Sequence, residues 1–143
     1  MQYFAKVIQT ITLDSLRAFI FPVDICHNYQ NLTDAERRHD FVTTNARCDE
    51  TLRGWYRFQG AAGKKMATTS PPVKRCDADF PAWLSGNHPT VAEGTKQRTV
   101  CIRTFGGDCK KTVFIKVRNC GSYYIYNLVS LTSQCNARYC GTD

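Results

Sequence analysis

Eight cysteines in a chain of 143 residues limit its fold more than any other feature of the sequence. They are dispersed, and no two have the Cys-x-x-Cys spacing of a zinc ribbon or a thioredoxin-like motif. An even number of dispersed cysteines is typical of a disulfide framework in an oxidising compartment, so we expect an extracellular, secreted protein. Their spacing alone leaves the pairing open. The cysteines are Cys26, Cys48, Cys76, Cys101, Cys109, Cys120, Cys135 and Cys140.

Composition and charge narrow the class further. Hydrophobic residues make up 43% and charged residues 22%, so the chain can bury a core, and its length predicts one domain. The longest apolar run, 18–23, contains Pro22 and is far shorter than the roughly 20 residues that span a bilayer, so we expect no direct membrane insertion. The formal net charge is +7 and belongs to residues 26–143, because the charges of residues 1–25 cancel.

Residues 1–25 contain no cysteine and are set apart from a domain over 26–143. Lys6 resembles the basic start of a signal peptide, but polar residues and then Asp14 interrupt the apolar stretch that should follow it. The segment is therefore not a clear signal peptide. Two interpretations remain: a short element that packs on the domain, or a piece of a longer secreted chain.

Alternating apolar and polar residues predict strands over 55–58, 99–104, 112–118 and 123–129, separated by glycine-rich turns. Thr33 and Glu36 have the spacing of a capping box, which predicts a short helix through His39. Cys101 and Cys109 flank the turn at 106–107, so a disulfide that closes this hairpin is geometrically natural. We expect an α+β, β-dominated, disulfide-stabilised extracellular domain with one or two short helices.

Several motifs of this sequence occur in the same order in one known family. They are Cys48-Asp49, Leu52 to Phe58, Gly60 to Gly63 followed by Met66, Arg75-Cys76, Trp83 to Gly86 with His88-Pro89, Val117 to Gly121, Tyr123 to Leu128, and Arg138-Tyr139-Cys140. The chain resembles, over about residues 26–141, the extracellular cysteine-rich domain of uromodulin, pancreatic secretory granule membrane major glycoprotein 2 and oncoprotein-induced transcript 3 protein.

The resemblance implies a β-rich disulfide scaffold with no enzymatic role, in a parent chain that carries epidermal-growth-factor-like or zona-pellucida modules. It implies the pairs Cys26–Cys120, Cys48–Cys135, Cys76–Cys140 and Cys101–Cys109. Ser70 and Asp108 stand where ten-cysteine members of the family have a further bonded pair, so their joint absence leaves no orphan thiol.

Asn31-Leu32-Thr33 is the chain's N-glycosylation acceptor tripeptide, and it predicts a glycoprotein modified at Asn31. Uromodulin-like members have an Asn-Leu-Thr acceptor at the end of the tyrosine-rich strand. Here Val129 follows Asn127-Leu128 and removes that acceptor. A glycan-presenting role of the family at this position therefore does not transfer to the chain.

Basic and aromatic residues suggest an alternative function, the binding of carbohydrate or glycosaminoglycan. Trp55, Tyr56 and Phe58 suit sugar stacking, although such a cluster in a small domain more often forms core. Tyr123, Tyr124 and Tyr126 alternate between two faces, one suited to core and one to binding. The basic residues form a patch or a scatter of solvated charges, and the second interpretation is favoured. They are Lys64, Lys65, Lys74, Arg75, Lys110, Lys111, Lys116 and Arg118.

Catalysis has little support in the sequence. His27, His39 and His88, with Lys65 or Lys111, supply the residue types of a ribonuclease, but nothing in their spacing predicts that they meet. Motifs for nucleophilic catalysis, phosphate loops, metals and nucleic-acid folds are absent from the sequence. We expect no enzyme, cofactor or nucleic-acid partner, but a secreted or cell-surface interaction or spacer module whose partners are other extracellular proteins or glycans.

Overall fold

The structure, a computed structural model, describes residues 24–132 and 136–143. The four strands predicted from alternation are all present as parts of longer or slightly shifted strands. Further strands come from segments with no clear alternation. Those in the described residues are β1 (Gln30–Leu32), β2 (Gly54–Phe58), β3 (Lys65–Met66), β4 (Phe80–Ser85), β5 (Thr95–Thr104), β6 (Gly107–Asn119), β7 (Tyr124–Leu128), β8 (Ala137–Tyr139) and β9 (Gly141–Thr142).

Seven of these strands form one mixed sheet in the order β1-β2-β7-β6-β5-β4-β8, and β3 and β9 form a separate antiparallel pair. The central strands β2, β7, β6, β5 and β4 are antiparallel to their neighbours, while β1 pairs with β2, and β8 with β4, in parallel. The long β5–β6 hairpin dominates the sheet. Its chain reverses at Phe105 and Gly106, as the glycine pair predicts.

One face of the sheet carries the core. The strand register places Tyr56, Tyr126 and Val117 side by side, and all three are buried. Met66 and Leu131, from the β3 strand and from a loop, complete the same cluster and are also fully buried. We call this side the inner face and the opposite side, which includes Trp55, the outer face. Because side chains alternate along a strand, each strand contributes to both faces.

The sequence pattern does not predict strand β4, because the strand contains Pro81 and shows no clean alternation. Phe80 donates its N–H to Asn136 on the β8 side, so the missing N–H of Pro81 faces the β5 side. Pairing with β5 begins only at Ala82, and the proline therefore removes no hydrogen bond from the ladder. Proline at this position is compatible with an internal strand.

The predicted helix through His39 is wrong. Over that stretch the structure has a single 3₁₀ turn, Ala35–Arg37, and Arg38 is already extended. The Asp34 side chain caps no backbone N–H; its carboxylate lies 3.4 Å from Arg138 instead. The described residues contain 3₁₀ turns at Ile25–His27 and Gly60–Ala62 as well, but no α-helix. The β-dominated, disulfide-stabilised fold is confirmed; the helices of an α+β domain are not.

Residues 1–23 lie outside the described part of the chain, and with them almost all of the segment 1–25. The boundary at residue 26 therefore stays a prediction.

Candidate interaction surfaces

Three disulfides lie in the described residues. They join Cys26 to Cys120, Cys76 to Cys140, and Cys101 to Cys109. These are three of the four pairs that the family resemblance implies. Cys135, the expected partner of Cys48, lies outside the described residues, so that pair stays a prediction. The Cys101–Cys109 bond closes the β5–β6 hairpin, where Trp83 also donates its indole N–H to the carbonyl of Asp108.

A buried ionic network crosses the base of the domain. The Arg37 guanidinium donates two hydrogen bonds of 2.8 Å to the Asp49 carboxylate, and both side chains are almost fully buried. Asp49 also accepts the backbone N–H of Tyr139 at 2.9 Å, and Arg138 lies 3.6 Å from it. Burial lowers the pKa of Arg138, and the nearby Arg37 charge lowers it further, against the pull of Asp49. This network ties the loop before β2 to β8 and offers no open position to a ligand.

His88 lies against the tyrosines of β7 rather than in a catalytic arrangement. Its Nε2 is 2.7 Å from the Tyr126 hydroxyl, which accepts the backbone N–H of Met66 at 2.9 Å. The His88 ring stacks on Tyr124 with the ring centroids 4.3 Å apart. Burial lowers the pKa of His88 to about 4, and the charges of Lys65 and Arg98 contribute to the shift. Burial also raises the pKa of Tyr126 well above its ordinary value.

The three histidines have separate surroundings. His27 lies 3.6 Å from Asp24 near the start of the described chain, and His39 donates its backbone N–H to Gly141. His88 contacts Tyr126 as described. The structure holds no group of three or more potential metal ligands within residues 24–132 and 136–143. Over the same residues, no helix is long and apolar enough to cross a membrane.

The aromatic residues divide between core and surface as their alternation predicts. Tyr56 and Phe58 are buried on the inner face, whereas Trp55 is partly exposed on the outer face. Tyr123 is half-buried because the Arg57 guanidinium lies over its ring at 4.0 Å. Arg57 also donates to the Tyr29 hydroxyl at 3.0 Å, so these groups attach the first described residues to the sheet.

The eight basic residues do not converge. Lys64 and Lys65 line one open cleft with Tyr123 and Tyr124. Lys116 lines a second cleft on the outer face, and Arg118 lines a third beside Asp24 and the Cys26–Cys120 bond. Lys74 and Arg75 lie in the loop after the prolines, where Arg75 forms an isolated bridge to Val42. Lys110 and Lys111 are exposed on β6 near the hairpin turn. This dispersal favours the spacer interpretation over a single basic patch made of all eight.

Sequence reasoning missed Asp49 and Arg37 as paired buried groups and Gln97 and Phe114 as members of a cleft. In the sequence, Asp49 stands out only as part of a family motif. The signal that finds Gln97 and Phe114 is strand register, because they lie opposite Lys116 and Thr99 in the β5–β6 ladder. That register is not fixed until the hairpin turn is known.

Taken together, a mixed β sheet, long-range disulfides and a buried ionic network define a small disulfide-stabilised domain of the extracellular type. The family model of the uromodulin-like cysteine-rich domain matches residues 56–141. The chain belongs to this uromodulin-like domain family. It is accordingly an extracellular domain, as its cysteines predict, and the resemblance noted from its motifs is confirmed.

Two groups of curated relatives show the same relationship. The chain is 41% identical over 118 residues to uromodulin of Mus musculus, covering 82% of this chain and 18% of that protein. It is 39% identical over 118 residues to the pancreatic secretory granule membrane major glycoprotein GP2 of Canis lupus familiaris, covering 82% of this chain and 23% of that protein. The GP2 protein of Homo sapiens is 37% identical over 118 residues, with 82% and 22% covered. The chain thus spans about a fifth of the length of the relatives it matches.

Proposed function

We propose that the chain is a secreted or cell-surface, non-catalytic interaction or spacer module of a uromodulin-like glycoprotein. The observation that supports this most is the use of polar side chains to hold strands together. His88 is occupied by Tyr126, and Arg37 and Asp49 bind each other and the backbone of β8. Groups of the kind that perform acid–base chemistry are therefore engaged in the scaffold.

The parent protein, on this proposal, carries epidermal-growth-factor-like or zona-pellucida modules beside the domain. Support comes from the relatives, of which the chain spans only about a fifth. Partners are other extracellular proteins or glycans, without nucleic acid, cofactor or direct insertion into a membrane.

Asn31 is the proposed attachment site of an N-linked glycan. It is exposed on β1, and Thr33 of the acceptor tripeptide is exposed as well, while Leu32 between them is buried. Strand β1 lies at the edge of the seven-stranded sheet, so a glycan there would also discourage edge-to-edge pairing with another molecule. Endoglycosidase treatment should lower the intact mass of the secreted chain, and Asn31→Gln should abolish that difference. An unchanged mass contradicts the assignment.

The fourth disulfide, Cys48–Cys135, completes the proposed scaffold. Peptide mapping of the secreted chain without reduction should give this link beside the three that the structure contains. A link from Cys120 to any cysteine other than Cys26 would contradict the family pairing.

The non-catalytic role is tested by turnover. The chain, secreted behind a heterologous signal sequence, is incubated with RNA and with a panel of oligosaccharides. We expect no product above that of a mock preparation. Turnover that co-purifies with the chain and disappears in His39→Ala or His88→Ala would overturn the proposal. Both variants are checked first for an unchanged far-ultraviolet circular dichroism spectrum.

A further inference from the structure

A row of four side chains crosses the outer face of the sheet. Trp55 on β2 lies opposite Asn127 on β7, Asn127 lies opposite Lys116 on β6, and Lys116 lies opposite Gln97 on β5. Residues paired in this way project from the same face of a sheet. Because neighbouring strands are about 4.8 Å apart, the row is about 14 Å long and one residue wide. We call these four residues the outer-face row.

The polar ends of the row are unused by the protein. Within residues 24–132 and 136–143, the side chains of Trp55, Asn127, Lys116 and Gln97 make no hydrogen bond or ion pair. Other polar side chains nearby are engaged: Arg57 stacks on Tyr123, and Arg98 bonds to the Asn87 carbonyl. The row therefore combines an indole, two amides and an ammonium group that remain available to a ligand.

An open cleft of about 210 Å³ runs beside the row and includes Gln97, Lys116 and Asn127. Two exposed apolar side chains also line it: Phe114 is 60% exposed and Val129 is 39% exposed. An apolar pair of this size is far below the roughly 800 Å² that each partner buries in a standard protein interface. A slender ligand fits the row better than a second protein.

The charge of this face is positive. Arg118 stands two residues from Lys116 on the same side of β6, and its side chain makes no ion pair within the described residues. Asp24 lines a cleft with Arg118, but its carboxylate accepts the N–H of Cys26 and lies 3.6 Å from His27. On β2, β5, β6 and β7 the register places no aspartate or glutamate on the outer face until Asp108, beside the hairpin turn. Two cations that form no ion pair within the described residues attract an anionic ligand.

We propose that the outer-face row binds an acidic glycan, one that carries carboxylate or sulfate groups. A sugar ring stacks on Trp55, the amides of Asn127 and Gln97 bond to hydroxyls, and Lys116 with Arg118 binds the anionic group. Amides suit hydroxyls because each presents both donors and an acceptor. The proposal rests on the extracellular role proposed above and names its partner. Of the eight basic residues singled out in the sequence, it uses only Lys116 and Arg118.

The test uses the secreted chain and three probes, namely a size-defined heparin oligosaccharide, sialyllactose and neutral lactose. Isothermal titration calorimetry compares the unchanged chain with Trp55→Ala and with the pair Lys116→Gln and Arg118→Gln. The matched control is the pair Lys110→Gln and Lys111→Gln, which removes the same charge from the hairpin end of β6. Lys110 stands six positions from Lys116, or about 20 Å along the strand.

We expect one of the acidic probes to bind and lactose to bind much more weakly; the preferred acidic probe separates sulfate from carboxylate recognition. Each test variant should weaken affinity by about tenfold or more, since each removes direct contacts of the ligand. The control pair should stay within about twofold, because distant exposed charges contribute little at physiological salt. Shift perturbations in an NMR titration should fall on β2, β5, β6 and β7.

Several outcomes overturn the proposal. One is an equal loss in the control pair, which indicates unspecific charge attraction. Another is a set of NMR perturbations centred on the Lys64 and Tyr124 cleft. A third is failure of both acidic probes to bind at physiological salt while circular dichroism shows the chain to be folded. None of these contradicts the non-catalytic module role, which the turnover assay tests separately.

Discussion

His88 should make the domain less stable as the pH falls, and the structure gives the mechanism. The Tyr126 hydroxyl accepts the N–H of Met66, and its own hydrogen has His88 Nε2 as an acceptor 2.7 Å away. Tyr126 is fully buried, so its hydroxyl hydrogen needs that acceptor. His88 is therefore neutral, with its hydrogen on Nδ1. A proton on Nε2 would place two donors face to face beside the charges of Lys65 and Arg98.

The sign of the effect follows from the two pKa values. The pKa of His88 is about 4 in the folded chain and about 6.5 when the chain is unfolded. Between these values the unfolded chain binds a proton that the folded chain does not, so acid favours unfolding. The stabilisation is complete above about pH 7 and is lost as the pH falls through 4. The full difference corresponds to about 3 kcal/mol, and because the ring is only half-buried, solvent screening reduces our expectation to about 1–2 kcal/mol.

The assay is urea unfolding with the disulfides intact, from pH 7.5 to pH 3.5, for the unchanged chain and for His88→Gln. Glutamine offers an amide oxygen to Tyr126 but does not titrate. Carboxylates titrate in the same range in both proteins, so the difference between the two curves isolates His88. That difference should change by about 1–2 kcal/mol across the range. Parallel curves, or an NMR titration of the His88 ring with a midpoint at or above pH 6, would refute the reasoning.

Three further predictions concern stability. Asp49→Asn should destabilise the domain by about 3–5 kcal/mol, because it leaves Arg37 and Arg138 buried without their carboxylate, whereas Asp143→Asn, at the exposed pair with Arg38, should cost less than about 1 kcal/mol; equal losses in denaturant unfolding would contradict this. Gly141→Ala should prevent secretion or lower Tm strongly, because a Cβ there would lie 2.8 Å from Phe58 and closer still to the Ala62 carbonyl, while Gly94→Ala, which meets nothing within 4 Å, should cost only about 1 kcal/mol for its positive φ. Replacing Cys26 and Cys120 together by alanine should cost about 5 kcal/mol and replacing Cys101 and Cys109 about 3 kcal/mol, since the first pair closes the far longer loop; the reverse order in unfolding experiments would show that loop entropy does not decide the stability of this scaffold.

Much of the sheet was predictable because alternation and glycine turns are local signals. Strands β2, β5, β6 and β7 each have one face of β-branched or aromatic residues, and this pattern survives in any context. Strand β4 was not predictable. Pro81 ordinarily argues against an internal strand, and its tolerance depends on where the β4–β5 ladder begins.

The buried charges were beyond local reasoning for a different physical reason. Arg37 and Asp49 are each unfavourable inside a protein, and only their mutual contact makes burial possible. Arg37 additionally donates to the Tyr139 carbonyl, 102 positions away in the chain. A pattern within a few residues carries no information about a partner so distant. For the same reason the outer-face row emerges only from the register of four strands.

The position of the last strands has a consequence for how the domain is made in the cell. All three residues of β8 are buried beside β4, and Ala67 donates its N–H to Cys140, the partner of Cys76. Asp49 waits for the backbone of Tyr139. The nascent chain therefore keeps an open sheet edge, an uncompensated carboxylate and unpaired thiols until residue 141 has entered the secretory compartment. Closure is a post-translocational event with long-range contacts, which are slow to form, so we expect oxidoreductases and chaperones of that compartment to hold the chain until synthesis of the domain is finished.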